Sequence, residues 1–109
     1  MPGNHIRIGI DLGGTKTEIA ALDTRGRELL RRRVATPAGD YRATIATVAG
    51  LVREAEGGLG MAGTVGIGTP GSISRATGLL RGSNSVCLNG QPIRRDLEAA
   101  LKQKTAYEM

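Results

Sequence analysis

In Ile8-Gly9-Ile10-Asp11-Leu12-Gly13-Gly14-Thr15-Lys16-Thr17, an apolar run ends in a carboxylate, followed by two adjacent glycines, a hydroxyl, an amine and a second hydroxyl. Glycines carry no side chain, so their backbone N–H groups can approach an anion closely, and Lys16 adds a point charge. Asp11, at the tip of the apolar run, is placed to hold a hydrated divalent cation. Together these groups suit a nucleotide phosphate with its metal. A lone Gly-Gly would signal only an ordinary hairpin with solvated neighbours; Asp-x-Gly-Gly-Thr-Lys after an apolar strand is more specific. It is not a Walker loop, because no G-x-x-x-x-G-K-[ST] pattern occurs and the glycines lead into a strand rather than a helix.

A second stretch, Gly66-Ile67-Gly68-Thr69-Pro70-Gly71-Ser72, formally matches the dinucleotide pattern G-x-G-x-x-G. No helical apolar stripe follows Gly71, and Gln91 with neutral neighbours occupies the region where an acid would bind a ribose, so that reading fails. Two readings stay open for this stretch: a structural turn, or a rigid glycine turn whose Thr69 and Ser72 bond a polyhydroxy ligand. Gly82-Ser83-Asn84-Ser85 through Asn89-Gly90 is a polar loop whose amides can donate and accept toward hydroxyls. Asn89-Gly90 is equally a standard turn dipeptide.

The elements that must position these groups follow from periodicity. Ile6 to Ile10 reads as a short buried strand, Gly13-Gly14 as a turn using positive φ, and Glu18 to Leu22 as the returning strand. Asp23-Thr24-Arg25-Gly26 is a second turn, and a third strand from about Glu28 to Ala35 stops at Thr36-Pro37. Asp40 caps a helix with an apolar stripe at Tyr41, Ile45, Val48, Val52 and Ala55, ended by Gly57-Gly58. Thr64 to Gly68 is a further strand, reached through a helix and therefore parallel to the first. Pro92 suits the first turn of a last helix with its stripe at Ile93, Leu97, Ala100 and Leu101. The predicted strand order is 3-2-1-4, with strands one and four the most buried. No strand pattern is read in Lys102 to Met109.

At 109 residues the chain is one modest domain, its core restricted to Ile, Leu, Val and Ala since neither Trp nor Phe occurs. The formal charge of +5 raises nucleic acid as a partner, but Tyr41 and Tyr107 are the only aromatics and offer no stacking platform. Alternation places Arg31 and Arg33 on one face of their strand and Arg32 on the other, which reads as a solvated edge strand or an anionic small ligand. Cys87 and His5 each stand alone, excluding a disulfide framework and a cysteine metal cluster within these residues. No run has membrane-spanning length and no signal peptide opens the chain, so the expected compartment is the cytoplasm.

Asp11-Leu12-Gly13-Gly14-Thr15-Lys16 followed by Gly68-Thr69-Pro70-Gly71 resembles the ROK family of bacterial sugar kinases, repressors and related proteins. The phrase Gly82-Ser83-Asn84-Ser85-Val86-Cys87-Leu88-Asn89-Gly90-Gln91-Pro92 looks like the fructokinase (mannokinase-type) branch. The resemblance spans about residues 6 to 101. It implies an α/β, actin-like (ribonuclease H-like) ATPase fold, ATP with Mg2+, and phosphorylation of a hexose hydroxyl, fructose above others. By that resemblance Asp11, Gly13, Gly14, Thr15 and Lys16 face the ATP phosphates, with Asp11 toward the metal. Gly71, Ser72, Asn84 and Asn89 lie toward the sugar.

Family members continue into another strand, then an Asp-Ala-Asn segment whose Asp is the general base, then a zinc-binding His and cysteine cluster and a second lobe. The tail Lys104-Thr105-Ala106-Tyr107-Glu108-Met109 matches none of these. Residues 1–109 are therefore expected to be a truncated N-terminal ATPase-like domain, with a phosphate turn at 11–17, sugar-side loops at 68–90, and neither catalytic base nor zinc. Two functions remain: a piece of a hexose kinase inactive alone, or a non-catalytic module that holds phosphate or sugar. With the next strand missing, strand four is expected to be an open edge through which the chain self-associates.

Overall fold

The computed structural model describes residues 5–69, 71–83, 86–102 and 105–108, with backbone alone at 86 and 105–108. The elements in chain order are β1 (His5–Leu12), β2 (Lys16–Leu22), β3 (Glu28–Ala35), α1 (Tyr41–Leu59), β4 (Ala62–Gly68), β5 (Ser72–Ile73), β6 (Leu80–Arg81), a 3-10 turn (Val86–Leu88), α2 (Ile93–Leu101) and β7 (Thr105–Glu108). The main sheet is mixed, in the order β3-β2-β1-β4-β7. β1 runs antiparallel to β2 and parallel to β4, and β4 is parallel to β7. The order of the first four strands is the predicted one.

β1 shows how the sheet is set. Ile6, Ile8, Ile10 and Leu12 point inward, whereas His5, Arg7, Gly9 and Asp11 are exposed. The strand alternates cleanly, as β2 does with Thr17, Ile19 and Ala21 buried, so strands one and four are not set apart from strand two as the most buried. The residues responsible are Arg7, Gly9 and Asp11, interleaved with the isoleucines at period two. β4 behaves likewise, with Gly63, Val65 and Ile67 inward. Both helices cover the same inner face. Val48, Leu51, Val52 and Ala55 of α1 join Ile93 and Leu97 of α2 in one core with the strand isoleucines. Each Leu or Ile fully buried there contributes about 1.5–3 kcal/mol, against about 0–1 kcal/mol for an exposed ion pair, so apolar packing decides the fold.

Local signals account for the helix ends. Asp40 accepts from Ala43 N–H at 2.9 Å, as the cap reading requires. α1 does not stop at Gly57-Gly58. It runs to Leu59, which packs on the core, and ends at Gly60 with φ +65, whose N–H donates to Glu56 O. At the start of α2, Tyr41 Oη donates to Asp96 Oδ2 at 2.6 Å and ties the two helices together. Pro92 sits at the cap of α2, one position before the first turn.

The arginine run divides as alternation dictates. Arg31 and Arg33 both reach Glu18 on β2, at 3.0 and 3.5 Å, while Arg32 pairs with Glu54 on α1. The hydrogen bond from Arg31, with further help from Arg33, holds the Glu18 carboxyl below the usual carboxylate range. These guanidinium groups are engaged within the fold.

The largest correction concerns the chain's end. Thr105–Glu108 forms a strand, with Val65 to Gly68 of β4 pairing Thr105 to Glu108 in register. The sheet is therefore not truncated before the next strand, and β4 is not an open edge available for self-association. A four-residue segment is too short for periodicity to declare it. Its β-branched Thr105 and aromatic Tyr107 suit a strand, and the unpaired groups of β4 supply the partner.

Candidate functional site: a glycine turn beside the carboxyl end of a parallel strand

The Asp11–Thr17 stretch folds as the hairpin between β1 and β2, with Leu12 opposite Thr17 and Asp11 opposite Glu18. Gly13 N–H donates to Lys16 O at 3.0 Å and closes the turn. Neither Gly13 nor Gly14 is among the glycines with positive φ, which corrects the conformational reason given for them. Gly13 is needed for space instead: a Cβ there would lie 2.8 Å from Lys16 O. Gly14, Thr15 and Lys16 are all exposed, so a hydroxyl and an amine stand at the surface in one turn.

Asp11 is exposed on the open face of the sheet, and no ion pair engages it among the described residues. On its other side it pairs with Gly68, the last residue of β4. This register brings the two motifs together. The chain leaving β4 through Thr69 emerges beside Asp11, one residue before the end of β1, at the carboxyl ends of two parallel strands, where ligands bind in open α/β sheets.

The segment beyond is built around Gly71. Its φ is +90, and a Cβ would lie 2.5 Å from Arg81 O and 2.9 Å from Ser83 N, so only glycine fits. Ser72 lies in β5, paired with Arg81 of β6, a two-stranded hairpin that sequence patterning did not reveal. Asn89 is spent locally. Its Oδ1 accepts from Ser83 N–H at 2.9 Å and its Nδ2 donates to Ser83 O at 3.0 Å. In this arrangement Asn89 anchors the 83–89 loop, and the sequence could have signalled this only through the turn-forming habit of Asn-Gly. Asn84 lies outside the described residues, as does Pro70.

Sequence reasoning passed over one hydroxyl. Thr36, read only as the stop of strand three, has its Oγ1 2.8 Å from Thr17 Oγ1 and donates to Gly13 O at 2.8 Å. Its N–H donates to Thr15 O at 2.9 Å. The Thr-Pro dipeptide after β3 is the only trace of this in the sequence.

The donor set fits a magnesium-bound polyphosphate. A hard carboxylate oxygen is followed by an exposed glycine turn that carries a hydroxyl and an ammonium. Asp11, Thr15, Lys16 and the turn amides are the groups that would hold it. No helix of the described residues is long and apolar enough to cross a membrane.

Known proteins share this sequence and this fold. The chain is 38% identical over 100 residues to the N-acetyl-D-glucosamine kinase of Vibrio cholerae, covering 92% of this chain and 33% of that protein. The ROK hexokinase of Thermus thermophilus superposes with a TM-score of 0.79 at 30% identity, over 94% of this chain and 34% of that one. A ROK glucokinase from Streptomyces griseus, solved with glucose and AMPPNP, shares the fold with a TM-score of 0.78 at 24% identity, over 94% of this chain and 32% of that one. The chain thus spans about a third of the length of these relatives. The ROK family pattern matches residues 7–108, nearly the whole chain, and the protein belongs to the ROK family.

Proposed function

We propose that the chain is the phosphate-holding part of an ATP-dependent hexose kinase. The observation carrying this reading is the pairing of Asp11 with Gly68, which sets the Asp-Leu-Gly-Gly-Thr-Lys turn beside the loop that leads to Gly71 and Ser72. In this reading Asp11 orients Mg2+, while Gly13, Gly14, Thr15 and Lys16 receive the ATP phosphates. Gly71, Ser72 and Asn84 line the sugar side, and Asn89 fixes their loop through Ser83. Bound Mg2+ would neutralise charge on the transferring phosphoryl group. The protein's part is positioning and electrostatics. The proton acceptor for the sugar hydroxyl is not assigned to any of these residues, and it and zinc are expected from sequence beyond them. The setting is cytoplasmic, where ATP is available.

Fructose is the acceptor favoured by the phrase at 82–92. N-acetylglucosamine is the second reading, because curated relatives at 34% to 41% identity carry that name. The test has two parts. Titrating the 15N-labelled chain with Mg·AMPPNP should shift the amides of Gly13 to Lys16. Unmoved turn amides at millimolar nucleotide would overturn the phosphate assignment. ADP release should stay at background with fructose, N-acetylglucosamine, mannose and glucose. Sugar-dependent turnover by these 109 residues would refute an external base, and its sugar preference would identify the acceptor.

A further inference from the structure

We propose that Thr36 is a positioning residue that aims the amides of the phosphate turn, working through a hydroxyl relay from Thr17. The proposal rests on the nucleotide reading above for its functional consequence, but not for its geometry. Gly13, Gly14 and Thr15 lie between the ends of β1 and β2, and Gly14 and Thr15 are exposed, so contacts from outside the hairpin help to hold the turn. Thr36, the first residue after β3, grips it at three points: Gly13 O, Thr15 O and the Thr17 hydroxyl.

Proton counting assigns the directions. Gly13 O is a carbonyl and only accepts, so the single hydroxyl proton of Thr36 goes to it. Thr36 then has no proton left for Thr17, and the fully buried Thr17 hydroxyl must donate to Thr36. The chain Thr17 O–H to Thr36 O–H to Gly13 C=O runs one way, each bond polarising the next.

The consequence follows from peptide planarity. In a trans peptide the N–H points opposite to the C=O of the same unit. Holding Gly13 O toward Thr36 therefore turns the Gly14 N–H away from β3. Holding Thr15 O on the Thr36 N–H turns the Lys16 N–H the same way. One residue remote from the motif thus orients two alternate amides of the turn to the side away from β3.

The test uses the chain as it stands, with Thr36→Val, Thr36→Ser, Thr17→Val and the double Val variant. Valine keeps the shape and the N–H bond to Thr15 but removes the hydroxyl. Thr36→Val should speed amide hydrogen exchange at Gly13, shift the Gly14 amide resonance, and weaken Mg·AMPPNP binding by about tenfold, the worth of one lost hydrogen bond. Exchange at Ile8 and Ile10 in the core should not change. Thr36→Ser should restore both readouts. Thr17→Val should do less, because Thr36 can still donate to Gly13, and the double variant should be no worse than Thr36→Val. Wild-type exchange and a wild-type Gly14 resonance in Thr36→Val would overturn the relay. Should the unaltered chain not bind Mg·AMPPNP, the nucleotide reading falls, and the exchange and resonance readouts still decide the relay. If Thr36→Val does not fold, the relay stands or falls on Thr17→Val: a displaced Gly14 resonance supports it, and a wild-type one refutes it.

Discussion

Replacing Gly13 by Ala isolates the reason for the double glycine. Gly13 is not in the left-handed region, so alanine meets no backbone penalty and the whole effect is steric. The new Cβ would stand 2.8 Å from Lys16 O, whereas carbon and oxygen rest at about 3.3 Å or more. The Lys16 carbonyl must retreat by about 0.5 Å, which stretches its 3.0 Å bond from Gly13 N–H beyond the hydrogen-bonding range of about 2.7–3.2 Å. Losing that bond costs about 0.5–1.5 kcal/mol, and disturbing the adjoining Thr36 bond to Gly13 O costs a similar amount. Against this, alanine restricts the unfolded chain and returns about 0.4–1 kcal/mol. The net expectation is a loss of about 0.5–2 kcal/mol, or a fall in Tm of about 4–8 °C per kcal/mol for a domain near this size. Gly9→Ala is the control: it lies in the same β1 strand with nothing within 4 Å of its added Cβ. It should therefore collect only the favourable term and stabilise by about 0.4–1 kcal/mol. Urea unfolding of both variants beside the unaltered chain measures the two signs. If Gly13→Ala proves as stable as Gly9→Ala, the close approach to Lys16 O is not what selects glycine.

Leu97, fully buried where α2 meets the sheet, should cost about 2–5 kcal/mol as alanine, read from the urea midpoint; a loss under about 1 kcal/mol would mean that α2 is loosely docked. Gly71→Ala should strain the β5–β6 hairpin by about 2–4 kcal/mol, through its φ of +90 and two backbone clashes. Hydrogen exchange should then speed at Ser74 and Leu80, with β1 unaffected. Burial, reinforced by the bond to Asp96, raises the Tyr41 hydroxyl above the usual tyrosine range. A raised folded-state pKa contributes stability that is complete below about pH 10 and lost as pH rises through the folded value. Phenolate absorbance should accordingly show one late-titrating tyrosine that disappears in Tyr41→Phe, and a single ordinary transition in the unaltered chain would contradict the Tyr41–Asp96 contact.

What could be read from the sequence was what short-range physics determines. Alternation along β3 separated Arg31 and Arg33 from Arg32, and the structure gives them to Glu18 and Glu54 on opposite faces. The Asp40 cap needed only its own loop to form. The misses share a different cause. Gly57-Gly58 looked like a stop, but the propensity cost of about 1 kcal/mol per glycine is offset in part by packing Leu59 on the core, and the left-handed cap falls at Gly60 instead. β7 has four residues, and only the unpaired edge of β4 makes a strand of it. The bonds of Thr36 and Asn89 were not foreseen, because a hydroxyl or amide declares its partner only once the fold brings that partner near. Thr36 finds Gly13 across the sheet, and Asn89 finds Ser83 within its own loop.

The placement of Asp11 joins these scales. Its exposure is not a property of the motif but of the count from Ile6: residues 6, 8, 10 and 12 face the core, so 11 must face out. A slip of one position would bury the carboxylate and expose four apolar side chains, losing about 1.5–3 kcal/mol at each. That penalty exceeds anything a solvated carboxylate could return. The apolar residues of β1 thus fix the register that pairs Ile10 with Ile67, and the same register pairs Asp11 with Gly68. Core packing thereby sets the carboxylate beside the loop toward Gly71, and a mutation that weakens Ile8 or Ile10 should disturb the site before any residue of the motif is touched.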